Sequence, residues 1–357
     1  MDLKALRDEI DRLDGEIIER LRARARLARE VGAVKRSDRT EAYAPAREAE
    51  IFRHIATVDT SPLPTEAVEA IYSEIIAACR ALEGPLVVAC LGPAHTFTHE
   101  AAVRRFGKAT RYLTTRSVQD TFDEVAKGNT DLGLVVIENS IQGVETPTLD
   151  AFVTSDLRVC SEVLVPIHQC LLAQCDLEEI ETVFSHPQPF AQCRRWLREN
   201  LPEADLVEEA STVTAAERAA RTPRSAAIAS AAAAEPHGLC ILSRNIEDNP
   251  NNRTRFFVIG RHEAPPSGRD KTFVLFSTKH EPGALLSALQ PLKEKQLNMT
   301  LIESRPNRVT AWEYLFFVEF VGHRDEPHVG AALDELRQRC LHVKVLGSYP
   351  EASEAGL

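Results

Sequence analysis

The chain has 357 residues, with 42 Lys and Arg against 53 Asp and Glu, a net charge of -11. At about 100–200 residues per domain this is room for two or three domains with real cores, and the acidic balance argues against a nucleic-acid binder while leaving small anionic substrates open. No apolar run approaches the roughly 20 residues that cross a bilayer, the charged N-terminus MDLKALRDEIDRLDGE is no secretory leader, and eight cysteines lie scattered without metal-ligand spacing, so a reduced, cytoplasmic protein with structural thiols is expected.

Three textures follow one another. In residues 1–84, Leu3, Leu6, Ile10, Leu13, Ile17, Leu27, Val31 and Val34 keep a spacing of threes and fours. That is a heptad seam on one long helix, which implies a partner helix along most of its length. Arg20 and Arg24 sit on the seam, where a core would want apolar side chains. A second helix is expected from Pro45, with Ile51, Phe52 and Ile55 inward. A third runs from Thr65 to Leu82 with Val68, Ile71, Tyr72, Ile75, Ile76 and Leu82 on one stripe. Gly84-Pro85 stops it.

Residues 85–262 alternate strands and helices. Strands are expected at 86–91 and 131–140, over 157–174 as one strand continuing between two lobes, and at TVFS, AAIAS and RTRFFVIG. A helix is expected over PFAQCRRWLREN. Strands that end in polar loops put side chains at the carboxyl edge of a sheet, where open α/β folds bind ligands. A polar Pro/Gly linker, EAPPSGRDK, follows. Residues 271–357 then read βαββαβ, the order of a ferredoxin-like sandwich.

A buried guanidinium needs an anion. Arg7, Arg24, Lys35 and Arg47 all fall in the helical unit, and a cation pocket inside a helical bundle suits a small polyanion. The run from Leu6 to Lys35, followed by PAREAEIF, resembles the all-helical chorismate mutase domain. The resemblance implies Arg7, Arg24 and Arg47 as carboxylate-binding arginines and Lys35 as the donor to the ether oxygen. It implies Glu48 at the ring hydroxyl and Glu83 against the same ether oxygen. Cys79 takes a substrate-binding position where some relatives carry a hydroxyl, and Ala44 one where some carry an acid. The reaction is pericyclic. Holding a dianion in a compact geometry, with donors at the ether oxygen, is the whole task. Glu83 can donate only as the acid, and carboxyls of its type ordinarily titrate near about 4.3, so the mutase rate should fall with rising pH.

The motifs LGP…TFTHEAA (91–102), IENSIQG (137–143), SHPQPFAQC (185–193) and NRTRFFVIG (252–260) together resemble prephenate dehydratase. The family's two-lobed α/β domain is similar to type II periplasmic binding proteins. The resemblance places Asn139, Ser185, Gln192 and Thr254 in the catalytic cleft, with Thr254 helping the ring hydroxyl leave. It makes Thr96, Gln188, Ser211, Thr212 and Arg255 substrate-carboxylate contacts. His95 stands where the family usually has glycine, a residue that allows positive φ. Ala229 replaces another common glycine.

GALL (283–286) and ESRP (303–306) resemble the ACT domain attached to these enzymes. In that family the module binds phenylalanine between two copies, which implies Gly283, Leu286, Asn298 and Glu303 as effector contacts. The sequence as a whole thus resembles bifunctional chorismate mutase/prephenate dehydratases with L-phenylalanine feedback. The resemblance implies chorismate and prephenate as substrates and no metal or organic cofactor. It implies no nucleic-acid or membrane partner. Arg7 and Lys35 lie 28 residues apart on one helix, about 42 Å at 1.5 Å per residue. They can share a site only in a homodimer with antiparallel helices, alone or as the unit of a higher oligomer. An alternative is an amino-acid-responsive regulatory protein, or a mutase with a decayed dehydratase site. Removing residues 264–357 is expected to abolish phenylalanine inhibition and spare both reactions.

Overall fold

The computed structural model describes residues 2–37, 43–306 and 314–352. Glu313, the first residue of one expected strand, lies outside them. Three helices come first: α1 (Leu3–Ser37), α2 (Pro45–Ile55) and α3 (Thr65–Glu83). Asp2 caps α1 by accepting from the Ala5 N–H at 2.8 Å, and Arg12–Glu9 and Arg22–Glu19 pairs line its exposed side. Of its 35 residues only Gly32 is buried. The eight seam residues are each 44–64% exposed. Ile71, Tyr72 and Leu82 of α3, expected inward, are exposed as well. A single chain leaves that stripe uncovered.

The middle domain has two lobes. The first contains β1 (Val87–Leu91), α4 (Phe97–Phe106), β2 (Arg111–Thr115), α5 (Val118–Ala126), β3 (Leu132–Asn139), β4 (Gly143–Val144), α6 (Thr146–Thr154) and β5 (Arg158–Pro166). The second contains β6 (Cys170–Ala173), β7 (Thr182–Ser185), α7 (Pro187–Gln192), α8 (Arg194–Asn200), β8 (Asp205–Glu208), α9 (Thr212–Ala219), β9 (Ser225–Ala229) and β10 (Cys240–Arg244). The chain then returns through β11 (Arg253–Gly260) to the first lobe. Sheet orders are β2-β1-β3-β11-β5, with β4 on β3, and β10-β6-β9-β7-β8. The strand expected over 157–174 does join the lobes, but it breaks into β5 and β6. At the crossing, Ile167 N–H bonds Asn252 O at 2.9 Å and Ile246 N–H bonds Gln169 O at 3.0 Å. The expected helix over 189–200 likewise divides at Cys193 into α7 and α8.

The C-terminal segment comprises β12 (Asp270–Ser277), α10 (Ala284–Glu294), β13 (Met299–Pro306), β14 (Tyr314–Val321), α11 (Pro327–Arg339) and β15 (His342–Pro350). Its antiparallel sheet runs β13-β14-β12-β15, the order of a ferredoxin-like sandwich. This unit shares a core with the first lobe, which the linker reading does not anticipate. Phe152, Val159 and Phe257 of the first lobe share one core with Phe273, Phe317 and Tyr349. Ring centroids of Phe257–Phe273 and Phe257–Tyr349 lie 5.4 Å apart. At Gly347 a Cβ would fall 2.4 Å from Val159 O, so only glycine lets β15 lie on β5. Cutting at residue 263 strips this cover, at about 1.5–3 kcal/mol per large side chain re-exposed. A fragment of residues 1–263 should melt about 10–20 °C lower than the full chain. Equal melting by scanning calorimetry would refute the shared core.

Candidate active sites

Two clusters form on the helices and at the lobe junction. On the helices, Gly32 lets α1 cross the end of α3, since a Cβ there would sit 2.6 Å from the Glu83 Cα. One turn later Lys35 Nζ meets Glu83 Oε2 at 2.7 Å, both side chains partly buried. Cys79 is buried one turn before Glu83. Arg24 is half-buried on α1, three turns before Lys35. Arg7 is exposed at the far end of the helix, and Arg47 is exposed and paired with Glu50 at 2.7 Å.

Glu48 requires a correction. It is buried, and its two oxygens take Arg80 Nη1 at 2.5 Å and Arg105 Nη1 at 2.6 Å. Arg105 also donates to the Tyr43 hydroxyl at 2.9 Å, which contacts Ser161 Oγ at 2.8 Å. Glu48 therefore fastens α2 to α3 and to the first lobe. It is engaged there rather than at a ring hydroxyl, because a buried carboxylate needs fixed cations.

The second cluster lies in a cleft of about 260 Å³ between the lobes. The ends of parallel strands β1, β3, β7 and β8 deliver its residues, as open α/β sheets do; β11 runs antiparallel and enters by its start. Thr96, Asn139, Gln188, Gln192, Ser211, Thr212 and Thr254 all line it. No Lys or Arg is among the lining residues described. Helix starts replace them. Thr96 caps α4 by accepting from the His99 N–H at 3.4 Å, and Ser211 caps α9 by accepting from the Thr214 N–H at 3.0 Å. Free N–H groups at such ends hold anions. His95 takes the left-handed conformation, φ 69°, as a position usually held by glycine would. Its ring lies 5.6 Å from that of His99, and burial, then the His95 charge, pushes His99 below the usual imidazole range.

At the cleft floor, Asn139 Oδ1 accepts from the backbone N–H groups of Ile141 at 3.0 Å and Gln142 at 3.2 Å. Those contacts fix the amide orientation. Its Nδ2 then donates to Thr254 Oγ1 at 2.9 Å and Asn252 Oδ1 at 2.9 Å. Because Thr254 Oγ1 accepts from Asn139, its own hydrogen is free to donate into the cleft.

The chorismate mutase type II family matches residues 6–84, and the prephenate dehydratase family matches residues 88–264. A bifunctional chorismate mutase/prephenate dehydratase of Aquifex aeolicus is 44% identical over 356 residues, covering 98% of both chains. That of Pseudomonas aeruginosa is 42% identical over 357 residues, again 98% of both. A solved prephenate dehydratase of Arthrobacter aurescens, in complex with L-Phe, is 35% identical with a TM-score of 0.70. The match covers 74% of this chain and 90% of that one.

The chain belongs to the bifunctional chorismate mutase/prephenate dehydratases. It rearranges chorismate to prephenate and converts prephenate to phenylpyruvate, carbon dioxide and water. No helix among the described residues is long and apolar enough to cross a membrane.

In the dehydratase cleft two expectations fail. Ser185 is fully buried and donates to Ile228 O at 2.8 Å, tying β7 to β9. Arg255 points away from the cleft, because Thr254 and Phe256 line it and side chains alternate along a strand. Arg255 instead meets Glu138, Glu162 and Glu319. Gln169 was missed. It is 1% exposed, lines the cleft and donates to Gln192 Oε1 at 3.1 Å, which leaves the Gln192 amide N–H groups to face the cleft. No motif flagged it, since it sits in the crossing segment that reads as plain strand. In the C-terminal domain Gly283 has φ 80° at the start of α10, and Leu286 is 71% exposed. Asn298 is exposed in a second cleft of about 370 Å³, and Glu303 is half-buried on the edge strand β13. Gly283 and Leu286 lie at the start of α10, Asn298 just before β13 and Glu303 on it.

Proposed function

We propose that this enzyme works as a homodimer with two shared mutase sites, a dehydratase cleft run by Thr254, and an L-phenylalanine site between paired ACT domains. The dimer reading rests on α1. Its apolar seam is exposed from end to end, and Arg7 stands about 42 Å from Lys35. An antiparallel partner helix covers the seam and brings its Arg7 to the Lys35–Glu83 pair. Arg7, Arg24 and Arg47 hold the two carboxylates of chorismate. Lys35 donates to the ether oxygen as charge grows there, with Glu83 against the same oxygen.

In the dehydratase cleft the single observation that carries the reading is the Asn139–Thr254 contact. Thr254 donates to the C4 hydroxyl as it leaves. The ring-bound carboxylate departs as carbon dioxide, its electron pair completing the aromatic ring. One proton is taken up in forming water. Helix starts at Thr96 and Ser211, with Gln188 and Thr212, hold the anion, and Gln192 orients it. Closure of the lobes excludes water.

The effector reading rests on the βαββαβ fold, on the exposed Leu286 of α10 and the edge position of β13, and on the L-Phe complex of the Arthrobacter relative. Gly283, Leu286, Asn298 and Glu303 are its proposed contacts. Supplied with chorismate, the protein should release phenylpyruvate, and L-phenylalanine should suppress it. Prephenate accumulating alone would sink the dehydratase half, and no turnover would favour a regulatory protein. Glu83→Gln, whose amide donates at every pH, should flatten the pH profile of the mutase. A level wild-type profile counts against the Glu83 role.

A further inference from the structure

Thr254 and Arg255 are neighbours on β11 that face opposite ways. Arg255 Nε donates to Glu138 Oε1 at 2.9 Å, and its Nη1 donates to Glu162 Oε2 at 2.9 Å and Glu319 Oε2 at 2.5 Å. Thr254 is paired across strands with Asn139, and Arg255 with Glu138. One guanidinium therefore straps β3 to β11 directly behind the Asn139–Thr254 bond.

Of the three carboxylates, Glu319 comes from the C-terminal domain. It is 0% exposed. The Tyr349 hydroxyl donates to it at 2.6 Å, the Thr300 hydroxyl contacts its other oxygen, and Lys271 Nζ lies 3.7 Å away while holding Glu162 at 2.8 Å. Burial alone would raise this carboxyl, but Arg255 and Lys271 hold it below the usual range. A buried ionic cluster is a poor fastener, since apolar residues of similar shape hold domains as well. What it supplies is a fixed geometry for each partner. The pairing of β11 with β3 also shifts register between Arg255 and Phe256, the kind of place where a strand bends. Thr300 lies on β13 between Asn298 and Glu303, so movement of β13 reaches Glu319.

We propose that Glu319 is a positioning residue of the dehydratase reaction: through Arg255 it sets β11 so that Thr254 meets the ring hydroxyl, and it is the route by which the C-terminal domain acts on the cleft. The route rests on the effector reading above; the positioning does not.

Glu319→Gln in the full-length chain keeps the shape and removes the charge. Dehydratase kcat should fall about tenfold, with KM for prephenate and mutase activity little changed. In a Thr254→Ala background the same substitution should cost nothing further, because it acts through the missing hydroxyl. At saturating L-phenylalanine the fraction of dehydratase activity remaining should rise at least about threefold over wild type. Tyr349→Phe, which removes one hydrogen bond to Glu319, should move each readout the same way by less, and it replaces Glu319→Gln if that protein fails to fold. Full kcat in the folded variants, or a loss that multiplies onto Thr254→Ala, overturns the positioning. Undiminished inhibition in the folded variants overturns the route. A wild-type enzyme indifferent to L-phenylalanine removes the effector reading and the route together, and the positioning is then judged on kcat and the cycle alone.

Discussion

Dimers built from one Arg7→Ala chain and one Lys35→Ala chain should regain mutase activity that neither parent has. Each parent homodimer carries one lesion in both of its sites. Loss of Lys35 at the developing charge costs about 10²–10³ in rate, and loss of the Arg7 clamp misplaces the substrate at a cost of about 10²-fold, so both parents are nearly silent. In a hybrid dimer one site collects both lesions and the other collects none. Activity should return to about half of wild type per hybrid dimer if the sites are independent. The geometry leaves little room for another arrangement. The helix α1 is continuous over 35 residues, so its ends cannot approach one another. The partner that brings them together must also cover an apolar stripe running from Leu3 to Val34. Co-refolded mixtures, with hybrids confirmed by mass, decide it. No recovery means that both residues act within one chain or that Arg7 has no catalytic part.

Thr254→Ala should lower dehydratase kcat by about 10²–10⁴, the range for a positioned proton donor. Mutase turnover should stay near wild type, so chorismate is converted and prephenate accumulates. Thr254→Ser should recover most of the rate. Asn139→Asp gives the sharper result. The Asn139 amide donates to Thr254 Oγ1, and that is why the hydroxyl hydrogen points to substrate. A carboxylate in its place accepts instead, turning the hydroxyl inward. The loss should then approach that of Thr254→Ala although Thr254 is still present. An Asn139→Asp enzyme within about threefold of wild type, folded by circular dichroism, would show that the hydroxyl is not oriented this way.

Much of the fold was legible because local periodicity reports burial. The helical seam of α1, the buried strands β1, β3, β11 and β12, and the βαββαβ order all follow from it. Strands β2, β8 and β10 did not, because they are sheet edges whose side chains are almost all exposed or half-buried and present no apolar run to read. The continuous strand over 157–174 was wrong for a related reason. Apolar residues run to Ile167 and resume at Cys170, but between them hydrogen bonding passes from one sheet to another.

The cleft residues were legible where chemistry and local structure coincide. Thr96 and Ser211 are hydroxyl residues at helix starts, and Asn139 and Gln188 sit where β3 and β7 end in polar loops. Alternation on β11 was available in the sequence and already separates Thr254 from Arg255. Which of the two faces the cleft is a tertiary matter, as is what meets the other. Glu48, Ser185 and Arg255 are polar residues in motifs. Each is used up by partners 32 to 117 positions distant in the chain: Glu48 by Arg80 and Arg105, Ser185 by the Ile228 carbonyl, Arg255 by Glu138, Glu162 and Glu319. The sequence by itself determined which faces must be covered and which residue types could do the chemistry. Only the tertiary structure decided which buried charge pairs with which. Burial makes an unpartnered ion or hydroxyl costly, and its partner is chosen by packing between elements that local periodicity does not connect.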